Sequence, residues 1–166
     1  MSKALYILAG FDSAADEKLN ALQNKLYGLG FTGTHTKNIP MHITLGSFPT
    51  DMEEKLKDKL TKISESTSPV ETVFNHIGIF GGGNVLFACP DVNKELLELK
   101  ENFGSAFGWT AHSTLLIDEP ETVLKAIPYI MEDFSAFEAK VTSLHLYEFF
   151  PTRYICSVKL KGDKNA

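Results

Sequence analysis

Apolar positions along the chain fall into short segments with two periods, one suited to strands and one to helices. Ala4 to Phe11 is almost continuously apolar and stops at Asp12-Ser13, which predicts a buried strand running into a turn. Leu19, Leu22, Leu26 and Leu29 then recur every three or four residues, the spacing of one helix face. Ser13 with Asp16 is placed as a capping box at its start, and Gly28 and Gly30 stop it. Thr32 to Pro40 has no period and reads as a loop leading into a strand from Met41 to Phe48. Thr50 with Glu53 opens a second helix whose inner face is Leu56, Leu60 and Ile63, and the cluster Ser64 to Pro69 closes it. A strand from Val70 to Phe80, the turn Gly81-Gly82-Gly83-Asn84 and a strand from Val85 to Ala88 predict a hairpin. Asp91 caps a third helix with Leu96, Leu99, Phe103 and Phe107 on one face, and Thr110 to Ile117 is the next strand. Asp118 and Pro120 open a fourth helix containing Val123, Ile127 and Ile130, before strands from Phe137 to Phe149 and Arg153 to Leu160.

Side by side, these segments run twice through strand, helix, strand, helix, strand: once over 4–80 and once over 85–149, with 153–160 as a closing strand. In each pass the middle strand carries His-x-Thr-Leu. The repetition predicts one α+β domain over 1–166 made of two similar lobes related by a pseudo-twofold axis, with equivalent positions on opposite walls of a cleft. The tails, Met1-Ser2-Lys3 and Gly162 to Ala166, read as solvated.

Alternation along a strand puts His42 and Thr44 on one face with Ile43 and Leu45 on the other, and divides His112 and Thr114 from Ser113 and Leu115 in the same way. Each strand can bury one face and offer an imidazole and a hydroxyl on the other. Two imidazoles across a cleft suit phosphodiester cleavage, because one group must take a proton from the attacking oxygen while another gives one to the departing alkoxide. Histidine, with an unperturbed pKa of about 6.5, serves in both states near neutral pH. The threonine hydroxyls can hold non-bridging phosphate oxygens. A lone copy would fit an ordinary half-buried strand histidine; two copies at matching points of a repeated order favour catalysis. The scheme needs no metal or cofactor.

Composition narrows the substrate. The chain has 166 residues, 43% of them hydrophobic, enough for one sizeable core, and a formal charge of -5 with a pI near 5.5. That charge removes the general attraction on which duplex nucleic acid binding relies, so a small nucleotide or an RNA end is the expected partner. No apolar run approaches the roughly 20 residues that span a bilayer, and the N-terminal residues lack a signal-peptide pattern, so the expectation is a cytoplasmic monomer without membrane contact. Cys89 and Cys156 lie in apolar, strand-like surroundings without CxxC spacing and read as reduced structural thiols.

The motifs His42-Ile43-Thr44-Leu45 and His112-Ser113-Thr114-Leu115 resemble the signature of the two-histidine (2H) phosphoesterase superfamily, in particular its bacterial 2′-5′ RNA ligase-like branch. Ile77 to Phe80 with Val85 to Phe87 resembles the family's central hairpin, and Leu144 to Tyr154 its closing one. The resemblance implies a bilobal α+β fold with two antiparallel sheets, metal-independent chemistry, and substrates with 2′,3′-cyclic or 2′-5′ phosphodiester groups, cleaved or, in reverse, joined. Many bacterial relatives carry an arginine soon after a histidine motif; here Gly46-Ser47-Phe48 and Leu116-Ile117-Asp118 follow instead.

The single arginine, Arg153, and the loop lysine Lys37 are therefore the candidate phosphate anchors, and Phe11, Phe80 and Phe150, where strands meet loops, are the candidates for stacking on a base. Gly28 to Gly33 matches GxGxxG but ends a helix, which is the wrong context for a dinucleotide. His35, His76 and His145 have no partner at ligand spacing, so zinc is not expected. The alternative to an enzyme is a module on the same fold that binds a nucleotide or RNA end without turnover.

Overall fold

A computed structural model describes residues 3–163. The elements are β1 (Ala4–Phe11), α1 (Ser13–Gly28), β2 (His42–Phe48), α2 (Glu53–Ser66), β3 (Val70–Ile79), β4 (Val85–Pro90), α3 (Lys94–Glu101), β5 (Ser113–Ile117), α4 (Pro120–Asp133), β6 (Phe137–Phe149) and β7 (Arg153–Lys159). A short 3-10 turn at Thr50–Met52 leads into α2.

All strand pairs are antiparallel, in the order β2-β1-β6-β3-β4-β5, with β7 also on β6. Where two sheets were expected, the described strands form one seven-stranded sheet, continuous through β6. Its Phe137–Val141 part pairs with β3, its Val141–Phe149 part pairs with β1, and β7 continues along the edge that β3 leaves. Read from either end, the order is β2-β1-β6 and β5-β4-β3. The third strand of each strand-helix-strand-helix-strand run thus pairs with the other run. In consequence β2 and β5, which follow or begin at the two histidines, are each paired on one side only.

Helix faces and strands close over a common core. Leu19, Leu22 and Leu26 of α1, Leu56, Leu60 and Ile63 of α2, and Val123, Ala126 and Ile130 of α4 are buried in the same cluster as the inner strand residues. At its centre Phe74 is fully buried, with Phe11 edge-on at 5.2 Å and Phe137 stacked at 5.2 Å. Among the described residues no helix is long and apolar enough to cross a membrane.

Several local signals yield to tertiary partners. Asp12, not Ser13, occupies the N-cap of α1, without a side-chain cap bond. The Asp16 carboxylate instead accepts from the Met41 amide at 3.0 Å and from Asn20 Nδ2 at 2.8 Å, which fixes the start of β2. Helix α3 is capped by Asn93, whose side chain accepts from the Leu96 amide at 2.9 Å, because Asp91 is still held to β3 through its own amide and Val73 O at 2.8 Å. The helix ends at Glu101, and Phe107, expected on its inner face, is 97% exposed. Leu29, just past α1, is likewise exposed. At the C-terminal end, Lys161 and Gly162 are tied to Ser64 O and Thr67 O at 2.7 and 2.9 Å and are not simply solvated; the outer residues of both tails lie outside the described ones.

Phe74→Ala opens a cavity between two aromatic rings in a site that cannot collapse easily, and should cost about 3–5 kcal/mol in a urea unfolding experiment with little change in m-value.

Candidate active site

Edge strands β2 and β5 are linked by side chains. Trp109 Nε1, from the segment ahead of β5, donates to Thr44 O at 3.0 Å. Gln23 of α1 donates to Leu115 O at 3.2 Å, and the Thr34 amide of the loop donates to Ile117 O at 2.8 Å, so the free edge of β5 is covered by neighbours that satisfy its carbonyls.

His42 opens β2 and His112 stands immediately before β5, and both rings are held by one device. Nδ1 of His42 lies 2.7 Å from Pro40 O, and Nδ1 of His112 lies 2.8 Å from Thr110 O, in each case the carbonyl two residues back. A carbonyl can only accept, so each neutral ring carries its proton on Nδ1 and leaves Nε2 with a free lone pair. A cavity of about 740 Å³ opens beside them, walled by His42, Thr44 and Thr114, by α1, and by the loop 34–40. The hydroxyls of Thr44 and Thr114 make no side-chain hydrogen bond among the described residues. His112 stands outside this wall, its ring edge-on to Phe80 at 4.7 Å and tilted on Phe87 at 5.2 Å.

A third histidine joins the site. Register pairs His42 with Gly10 and Gly10 with Ser143, and in the next row Thr44 with Leu8 and Leu8 with His145. His145 is held by Ser143 Oγ at 3.0 Å from Nε2 and by Ser157 Oγ on Nδ1. Gly10 is required beneath it: a Cβ there would come within 2.6 Å of Ser143 Oγ and closer still to His145 Nε2. The ring can therefore lean over β1 toward β2. Sequence reading set His145 aside because it looked for metal spacing; its alternation with Ser143 carried the signal, but only cross-strand register shows which neighbours it meets.

Burial lowers the pKa of all three rings. His42 is pushed down to about 4, by burial first and then by charge on His145 and His112, against the opposing effect of its Pro40 bond. His112 is lowered by burial, partly offset by its Thr110 bond. His145 is lowered by burial, partly offset by the Asp16 carboxylate.

A family model described as the 2′-5′ RNA ligase superfamily matches residues 11–149. The chain belongs to this superfamily. Its members are 2H phosphoesterases and ligases, and the chain is accordingly an enzyme of that group. Among solved structures it resembles TT0787 of Thermus thermophilus, at 15% identity and a TM-score of 0.67, covering 96% of this chain and 99% of that one. It resembles LigT of E. coli complexed with ATP at 18% identity and a TM-score of 0.67, and the same protein complexed with 3′-AMP at 17% and 0.62, each covering 96% of this chain and 98% of LigT. At these identities the likeness is one of fold, the α+β architecture of the 2H phosphoesterases. No curated protein sequence matches the chain.

The remaining candidates separate. Lys37 and Phe150 line the cavity, and Phe80 packs on His112. Phe11 does not reach it; the ring is buried in the core against Phe74, because its strand position faces the helices. Arg153 is not a free anchor either. Its Nη2 lies 2.7 Å from Glu53 and 3.0 Å from Glu148, whose carboxylate is buried and needs a cationic partner. The same contact, ahead of the Lys57 bond, pulls Glu53 down to about 2. Cys89 and Cys156 are free thiols, both raised by burial. Among the described residues no cluster of three His, Cys, Asp or Glu side chains could hold a metal ion.

In the folded protein His42 should titrate near 4, and His145→Gln should raise that midpoint, read from the imidazole NMR signals. Because the unfolded chain binds protons that these buried rings refuse, stability is full above pH 6.5, declines as pH falls from 6.5 toward about 4, and levels off below that. Denaturation across that window should show stability rising with pH, less steeply in His42→Asn.

Proposed function

We propose that this enzyme hydrolyses 2′,3′-cyclic or 2′-5′ phosphodiesters of nucleotides or RNA ends, without a metal, by two-histidine acid-base catalysis, and that the same site can join a 2′,3′-cyclic end to a 5′-hydroxyl end, the hydroxyl adding to phosphorus in place of water as the bond to the 3′ oxygen breaks. The observation that carries the reading is the matched pair of Nδ1-to-carbonyl bonds, which turns Nε2 of both His42 and His112 into the reactive nitrogen. The unpartnered hydroxyls of Thr44 and Thr114 suit the non-bridging oxygens of one phosphate. LigT, of similar fold, has been solved complexed with ATP, with 3′-AMP and with phosphate, which supports a phosphate-bearing nucleotide as the ligand class.

His42, with its pKa near 4, is neutral at physiological pH and suits the base. In hydrolysis a water oxygen adds to phosphorus and its proton passes to Nε2 of His42. The bond from phosphorus to the 2′ or 3′ oxygen breaks, and that oxygen takes the Nε2 proton of His112. The product is a phosphate monoester from a cyclic substrate, with one water consumed. For this His112 must be protonated, and a bound phosphate anion raises its pKa in the required direction. Thr44 and Thr114 donate hydrogen bonds that hold the phosphorus in line with the attacking oxygen.

Assayed with EDTA present on 2′,3′-cyclic mononucleotides and 2′-5′ dinucleotides, His42→Ala and His112→Ala should each lower kcat by roughly 10²- to 10⁴-fold, and Thr44→Val or Thr114→Val by about tenfold. The kcat/KM profile should keep its acid limb well below neutrality. No turnover of either substrate class, with binding that survives His42→Ala, would overturn the enzymatic reading in favour of a binding module.

A further inference from the structure

The cavity extends well beyond the phosphate that His42, Thr44 and Thr114 can hold. On α1 the residues Asn20, Gln23, Asn24 and Tyr27 follow one another at helical spacing and form one wall; the loop 34–38 forms the facing one. This stripe is polar and uncharged. Asp and Glu number 21 in the chain, yet among the described residues no carboxylate lines the cavity, and Lys37 is the one Lys or Arg in its wall. In a protein of net charge -5, this makes a concavity in which an anion meets no fixed negative charge.

Lys37 is also held ready. Its Nζ sits 4.9 Å above the Tyr27 ring, and Tyr27 is stacked on His35 with centroids 5.7 Å apart and planes within 14°. The Tyr27 hydroxyl contacts His35 Nε2, which Gln23 Nε2 also approaches at 3.2 Å. Gln23 in turn is fixed on the β5 carbonyls. Thus α1, the loop and β5 are locked together around one cation that pairs with no carboxylate among the described residues. The Lys37 charge, after burial, lowers the pKa of His35. A partner for Lys37 must come from the ligand, and a cavity of about 740 Å³ has room for a whole nucleotide.

From this geometry we infer that Lys37 binds a second phosphate of the substrate, on the 5′ side of the nucleoside whose cyclic or 2′-5′ phosphate reacts, with Asn24 and the loop amides as neutral donors around it. The preferred substrate is a nucleotide with a 5′ phosphate, free or esterified, in addition to the reacting ester. This inference rests on the proposed function for the reacting end of the cavity.

The test compares 2′,3′-cyclic AMP with the same compound carrying a 5′-phosphate, and with one carrying a 5′-linked nucleotide, in the wild type, Lys37→Gln and Lys37→Arg. Wild type should prefer at least one 5′-phosphorylated form by about tenfold in kcat/KM, the worth of one charge-assisted hydrogen bond. Lys37→Gln should reduce that preference to about twofold or less, and Lys37→Arg should retain most of it. No preference in the wild type, or one that Lys37→Gln leaves intact, overturns the inference. If none of the three cyclic substrates turns over, the functional reading fails and calorimetry still decides the subsite. Tighter binding of 5′-AMP than of adenosine that Lys37→Gln abolishes supports it, and equal affinities overturn it.

Discussion

Strand β6 is hydrogen-bonded to β3 along its first residues and to β1 along the rest, while β7 takes over the edge that β3 vacates. This continuity, thirteen residues long, commits each half of the sheet to a strand from the other half of the chain. Neither half can close its sheet alone, and the exchange leaves β2 and β5 at the two ends of the order. Those are the strands that hold the histidine motifs. An edge strand has unpaired backbone groups, and here they are met by Trp109, Gln23 and Thr34. The contacts that protect the edges therefore also set the two motifs beside each other.

Electrostatics follows from the same arrangement. The site is built without a free arginine, since Arg153 pairs with the buried Glu148 and with Glu53 of α2. The cavity offers instead neutral hydrogen-bonding side chains, imidazoles and one lysine among the described residues. Burial lowers the pKa of His42, His112 and His145, which disfavours three adjacent positive charges in a partly desolvated space. Gly10 is the steric counterpart: its missing side chain lets His145 cross β1 toward His42.

The strands and helices were legible because each has one periodic apolar face; β1 and β6 match their expected bounds, and the ends of the others shift by a few residues. The misreadings lie at element ends, where a tertiary contact or an early helix stop overrode the local pattern. Asp16 left the capping box for Met41, Asp91 stayed with β3 while Asn93 capped α3, and Phe107 fell outside a helix that ended earlier than its apolar period. Phe11 and Phe150 have the same residue type at similar strand ends, yet one packs in the core and the other lines the cavity.

By itself the sequence determined the chemistry on offer: two copies of His-x-Thr-Leu in strands, each with an imidazole and a hydroxyl on one face, in an acidic chain poor in arginine. Period and residue type are local properties, and they survive without any knowledge of neighbours. Only the tertiary structure decided which groups stand near one another. The addition of His145, the removal of Arg153 and Phe11, and the enclosure of Lys37 with Tyr27 and the α1 amides depend on strand register and on the exchange through β6. These bring together residues far apart in the chain, and no local pattern encodes the distances between them.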